Sequence, residues 1–357
     1  MPAARRLSGQ TRSERERRLR RQAQVRRRRL LLGLGVIIVI GLILALVGGS
    51  GKPRRTPVAH HARRAGAPRT PTLKSVSAAQ IGTLPAAIED AAVASLPDGR
   101  VVLLGGIDSA QASTDGVDIL QGGSVTLHGT LTTPQHDAQA ATLGSSVYVF
   151  GGGQLSSYDH ILRYDPGSGA TSQVGTLPLP ASDVAVASIG NTAYVVGGYT
   201  GTSFLNTIVA WTPNGSVRVV GHLPFGLRYA AVAAAGGRVL IAGGTRTDGL
   251  SAAILSFDPS TGSVSSLGSL RVPITHSSAV FLDGRVVLVG GRRQLSGDQT
   301  RAILAIDPAT GSATAVGQLP RPLSDAGVSL SGGRIVVAGG DDGTGPQSAI
   351  LALTPTS

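Results

Sequence analysis

A chain of 357 residues with 50 glycines, 20 prolines and only 3% aromatic residues has, on composition alone, the look of a low-complexity polymer, a reading that an internal period excludes. The formal charge of +12 is confined to one end: residues 1–74 hold 19 Lys and Arg against Glu14 and Glu16, whereas the remainder holds 13 Arg against 18 acidic groups and is net acidic. A nucleic-acid-binding body is thereby excluded, and the lack of cysteine excludes disulfides, thiolate chemistry and Cys-ligated zinc.

Residues 1–29 form a basic tail with twelve arginines, four of them adjacent at Arg26 to Arg29. The apolar run Leu30 to Val47, extended by Gly48 and Gly49, carries no charge and is long enough to cross a hydrocarbon core about 30 Å thick as a helix. A transmembrane helix over 30–49 is therefore expected. The excess of arginine before it places the N-terminus in the cytoplasm and the rest of the chain outside. A cleaved secretory signal is the alternative, although nothing like A-x-A follows the run. Residues 50–72, rich in Pro, Gly, Arg and Ala, read as a linker that holds the following domain off the membrane. The pair His60 and His61 lacks further His or Cys nearby for a metal site, and the flanking arginines suit anionic lipid headgroups.

From Leu73 onward the chain repeats. An apolar run ending in two glycines recurs six times, with the pairs at Gly105–Gly106, Gly151–Gly152, Gly197–Gly198, Gly243–Gly244, Gly290–Gly291 and Gly339–Gly340. The steps between first glycines are 46, 46, 46, 47 and 49 residues, a period that signals a propeller or solenoid. Each unit reads as four strands. In the fourth these are AAVAAA (Ala230 to Ala235), RVLIA (Arg238 to Ala242), AILSF (Ala253 to Phe257) and SVSSL (Ser263 to Leu267), with turns at Gly236–Gly237 and at Asp258 to Gly262.

The glycine pair after an apolar strand, with the elements Tyr164-Asp165-Pro166, Phe257-Asp258-Pro259 and Ile306-Asp307-Pro308, resembles the Kelch repeat family. The family's tryptophan near the start of the fourth strand is missing throughout, so the repeats are degenerate. The resemblance covers about Leu73 to Ser357 and implies an all-β, six-bladed Kelch-like β-propeller preceded by one transmembrane helix. It carries fold rather than function.

The sixth unit ends after its third strand, at ILALTPTS. Residues 73–81 (LKSVSAAQI) have the character of the missing fourth, so they are expected to close the ring as the outermost strand of the last blade. The first strands, small and apolar, suit a crowded central channel. Just ahead of each stands one larger polar residue, 14 or 15 positions before its glycine pair: Asp90, Asp137, Asp183, Tyr229, His276 and Asp325. These six are the candidate ligand-binding residues of the channel mouth, suited to a cation or a polyhydroxylated ligand; the alternative is that they cap backbone groups or hold channel water. The loops between second and third strands vary most and fall on the same face. The most basic of them offers Arg292, Arg293 and Arg301 to an acidic partner or to solvent.

A copper site of the galactose-oxidase kind needs a Tyr–Cys crosslink, which a cysteine-free chain cannot make. A sialidase-like site needs S-x-D-x-G-x-T-W turns, and none occurs. No catalytic residue, metal or cofactor is therefore assigned, and no nucleotide loop or nucleophile elbow appears. The expected function is a membrane-anchored, extracytoplasmic binding module that recognises a protein or a cell-envelope glycan through the loop face. A carbohydrate-active enzyme or a structural scaffold are the alternatives.

Overall fold

The computed structural model describes residues 73–356. The basic tail 1–29, the apolar segment 30–49 and the linker 50–72 lie outside the described residues. Among the described residues every regular element is a strand, and no helix is long and apolar enough to cross a membrane.

Six antiparallel sheets stand around one axis as the blades of a propeller. Blade three shows the pattern: Ala185–Ile189, Thr192–Val196, Thr207–Trp211 and Arg218–His222 pair in sequence order from the axis outward. Five of the six inner hairpins turn on two residues, and that of blade one turns on the five from Leu96 to Arg100. Ala235 pairs with Arg238 across Gly236 and Gly237, at φ 59° and 77°, and Ser331 pairs with Arg334 across Gly332 and Gly333, at 55° and 76°. A turn with positive φ at both central positions matches the right-handed twist of the strands it joins, which is why glycine recurs there.

Burial follows position in the blade. Second strands such as Val101–Leu104 are buried along their whole length, because neighbouring blades cover both faces, so an unbroken apolar run replaces the usual alternation. Outer strands such as Arg218–His222 are mostly exposed. Apolar clusters fill all six seams between blades. One joins Val102 and Leu104 of blade one to Val147 and Val149 of blade two, and another joins Val336 and Ile350 of blade six to Leu103 and Leu120 of blade one. The leucine of every GxL element lies in such a seam, from Leu84 to Leu319, all of them buried.

The sixth blade takes its outermost strand from the start of the domain. Ser75–Glu89 runs antiparallel to Gln347–Thr356, with Ser75 opposite Thr356 and Thr83 opposite Ala349. It is longer than the segment 73–81 expected for this role. After Thr83 the register breaks, the chain crosses the top of the blade, and Ile88 and Glu89 pair with Asp108 and Ile107 of blade one. One strand thus belongs to two blades.

The glycine pairs hold each seam together. The second glycine donates its N–H to a carbonyl on the connection leading into the next blade: Gly106 to Gln135, Gly152 to Ala181, Gly198 to Leu227, Gly244 to Ile274, Gly291 to Leu323 and, across the closing seam, Gly340 to Ile88, at 2.8–2.9 Å. The same oxygen crowds the first glycine. A Cβ on Gly105 would stand 2.5 Å from the oxygen of Gln135, and closer still to its counterpart at the five other positions.

Candidate functional site

The chain turns from each crossover into an inner strand through one residue in the left-handed region. Asp90, Asp137, Asp183, Tyr229, His276 and Asp325 have φ between 51° and 57°. Asp and His tolerate this conformation better than most side chains, and Tyr229 is the strained member. The conformation aims the backbone along the circumference. Asp137 N–H donates to Asp90 O (3.2 Å), Asp183 to Asp137 (2.9 Å), Tyr229 to Asp183 (3.1 Å), His276 to Tyr229 (3.3 Å), Asp325 to His276 (3.1 Å), and Asp90 to Asp325 (3.0 Å). Six hydrogen bonds close a circle, one per blade.

The side chains of this circle form a polar plug around a small cavity of about 50 Å³. Tyr229 stacks on His276 with centroids 3.7 Å apart, and its hydroxyl donates to Asp137 Oδ2 at 3.3 Å. Arg228 Nη1 binds Asp183 Oδ2 at 2.9 Å. Arg292 Nη2 binds Asp325 Oδ2 and reaches Asp341 Oδ2 at 3.4 Å, while its Nε donates to Ser324 Oγ at 3.0 Å. Two of the four ring carboxylates therefore face guanidinium groups, and the other two face carboxylates. Burial, then the charge of Asp325, pushes Asp90 well above the usual carboxylate range; burial, then the charge of Asp183, does the same to Asp137. Burial, followed by Arg292 and Arg228, pushes His276 down to about 2 and keeps it neutral.

On one side of the plug the channel widens into a cavity of about 290 Å³ lined by inner-strand Ala, Ser and Val. On the other, beneath the variable loops of blades two and three, lies a second cavity of about 230 Å³. His136, Asp137, Gln154, Ser157, Arg228 and Tyr229 are among its walls.

All six mouth residues converge, whereas the three loop arginines separate. Arg292 is a mouth residue whose side chain is only 18% exposed and already ion-paired. Arg293 pairs with Asp298 inside its own loop, at 2.6 Å, and Arg301 Nε donates to Leu319 O at 2.7 Å. Neither joins a common cationic patch with Arg292.

Arg228, His136, Glu89 and Asp341 escape a reading of the mouth register, yet they occupy a register of their own. The residue before each ring position pairs with the residue after a glycine pair: Ser182 with Tyr199, Arg228 with Thr245, Thr275 with Arg292, and Ser324 with Asp341. Glu89, Asp325 and Asp341 bring carboxylate oxygens within 4.8 Å of one another. Burial, then the charge of Asp341, raises Glu89 above its ordinary value.

A family model described as the Kelch motif matches residues 180–215, from the entry to blade three through its third strand. The chain is a six-bladed β-propeller that carries a Kelch motif in its third blade. No curated protein matches its sequence. Among solved structures, that of YjhT superimposes with a TM-score of 0.67 and 14% identity, covering 76% of this chain and 96% of that one. An identity this low speaks for the fold alone. In this propeller the glycine pair of each repeat works between blades, and the residue that follows each crossover closes the ring at the mouth.

Proposed function

We propose that this Kelch propeller is a recognition module, tethered outside the cytoplasmic membrane, whose loop face binds a protein or glycan of the cell envelope. The observation that carries the reading is the polar cavity of about 230 Å³ on the face where the repeats diverge. The scaffold beneath is held rigid by six seams and a closed circle of hydrogen bonds, and loops carried on such a frame are the usual place for recognition. Gln154 to Asp159 of blade two and Thr200 to Leu205 of blade three differ in sequence from their counterparts and border the cavity. Leu155 stands fully exposed at its rim. The tether rests on the apolar run Leu30 to Val47 and on the arginines before it, whose positive charge resists transfer to the outer face.

The test uses cells that express the full-length protein or a variant carrying Gln154→Ala, Leu155→Asp and Ser156→Ala. Chemical crosslinking in intact cells followed by envelope fractionation should recover a partner with the parent and lose it with the folded variant. Identical material from both would overturn a recognition role for this face in favour of a scaffold.

A further inference from the structure

We propose that the blind channel behind the plug is a second ligand site, for one small neutral aromatic molecule that carries a hydroxyl group. It lies on the far side of the ring from the variable loops and is independent of the recognition proposed there. The cavity of about 290 Å³ shares Gln139, Ala230, Ser277 and Ser278 with the small cavity of the plug, so the ring residues form its closed end. No charged side chain of the described residues lines it. Its volume stands close to the roughly 300 Å³ at which sites for small ligands begin, which suits a ring and excludes a long chain.

Register shows how the open end is built. The fifth residue after each ring position is the lining residue farthest from the plug. These are Ser95, Thr142 and Ser188 in blades one to three, and Ala234, Phe281 and Leu330 in blades four to six. In a ring of six, blade one faces blade four, two faces five and three faces six, so an arc of hydroxyls looks across the channel at an arc of hydrocarbon. Phe281 is the one Phe, Tyr or Trp on the inner strands, and it is 36% exposed. An open phenyl ring in a closed-ended channel is apolar surface that a second ring covers, stacked or edge-on. On the other side Thr142 Oγ1 donates to Ser95 O at 2.7 Å and keeps its lone pairs. Ser95 and Ser188, both partly exposed, make no side-chain hydrogen bond among the described residues. Each inner strand is also a sheet edge, so its axial N–H and C=O groups have no strand partner. A hydroxyl both donates and accepts, and such a wall meets it either way. With no ion in the wall, a carboxylate or an ammonium group would give up its water without a counter-charge, so the lining excludes charged ligands.

The probes are phenol and benzyl alcohol, with benzene as the counterpart lacking a hydroxyl and benzoate and benzylamine as charged ones. Each is titrated into the full-length protein and followed by saturation-transfer NMR. Ala234→Phe fills the channel. Blade five already holds Phe at this register, so the fold has a place for it, and the signal left in this variant measures binding elsewhere. Above that background the two hydroxyl probes should bind, and benzene, benzoate and benzylamine should each bind at least tenfold more weakly. Phe281→Ala should weaken both hydroxyl probes tenfold or more, and Ser95→Ala combined with Ser188→Ala should bring phenol down to the level of benzene. Thermal unfolding of each variant establishes that it is folded. The site is overturned if neither hydroxyl probe binds the parent better than folded Ala234→Phe, or if benzene or a charged probe binds as well as they do. It is equally overturned if folded Phe281→Ala or the folded double serine variant binds like the parent.

Discussion

Replacing Gly197 with alanine tests whether the glycine pairs hold the blades together. Gly197 has φ 62°, and its N–H donates to Thr207 O at 2.9 Å; its neighbour Gly198 donates to Leu227 O at 2.8 Å. A Cβ on Gly197 would lie inside contact distance of Leu227 O and 3.2 Å from the carbon behind it, so the crossover into blade four must move away. Gly190, at φ 59° in a hairpin turn of the same blade, has nothing within 4 Å of a Cβ and supplies the control. Alanine in the left-handed region costs about 1–2 kcal/mol, and that is the whole expected effect of Gly190→Ala. Gly197→Ala adds the loss of a buried N–H partner, about 1–3 kcal/mol, and the gap that opens when the seam gives way, for a total of about 3–5 kcal/mol. Calorimetry should show Gly190→Ala melting a few degrees below the parent and Gly197→Ala about two to three times further down, at about 2–4 °C per kcal/mol. Equal shifts for the two variants would refute the seam argument and leave the glycines as turn residues only.

The ring titrates with a definite sign. Asp90 and Asp137 keep protons in the folded state that the unfolded chain releases near pH 4, so stability should fall as pH rises from there toward their raised folded values. Each proton contributes a slope of up to about 1.4 kcal/mol per pH unit, and Asp90→Asn or Asp137→Asn should flatten it in denaturant titrations across pH. His276 works the other way: held neutral down to about 2, it costs stability as pH drops below about 6.5, where the unfolded imidazole takes up a proton, and His276→Asn should flatten that acid limb. Trp211, the chain's sole tryptophan, fills the seam between blades two and three against Tyr148 (4.8 Å) and Phe150 (5.7 Å). Trp211→Phe should lower the denaturation midpoint and Trp211→Ala should cost about 3–5 kcal/mol by circular dichroism. An internal deletion of residues 75–80 strips the outer edge from blade six, and should lower the melting temperature of the whole propeller in one transition instead of adding an early one.

Much of this architecture is written in the spacing of a few residue types. The glycine pairs and the GxL leucines recur because every seam repeats the same contacts, and a period survives even where Tyr164 in one blade stands as Trp211 or Leu353 in others. The mouth is legible for a backbone reason: the left-handed turn before each inner strand favours Asp and His, so one of these two marks it in five of six blades, with Tyr229 the exception. What the period cannot convey is contact between different blades. Arg228, just before one ring position, meets Asp183 of the preceding blade, and Arg292, just after a glycine pair, meets Asp325 of the following blade, only because the ring brings neighbouring blades side by side. For the same reason the three arginines of blade five look like one patch in sequence and are three separate interactions in space. The extension of the first strand to Glu89 is hidden because its last residues pair with a different blade from its first.

The circle of backbone hydrogen bonds also fixes how many blades there can be. Every blade both gives and receives one link, so there is no terminal unit whose exposed edge could accept another repeat. A duplication or loss of one repeat would change the circumference while each link still spans one step, and the misfit would be shared by all members at once. Sequence can drift within a repeat, as the missing tryptophans show, but the count is held by geometry. In this sense the mouth is the keystone of a closed arch, and the blades beneath it are free to vary because it is not.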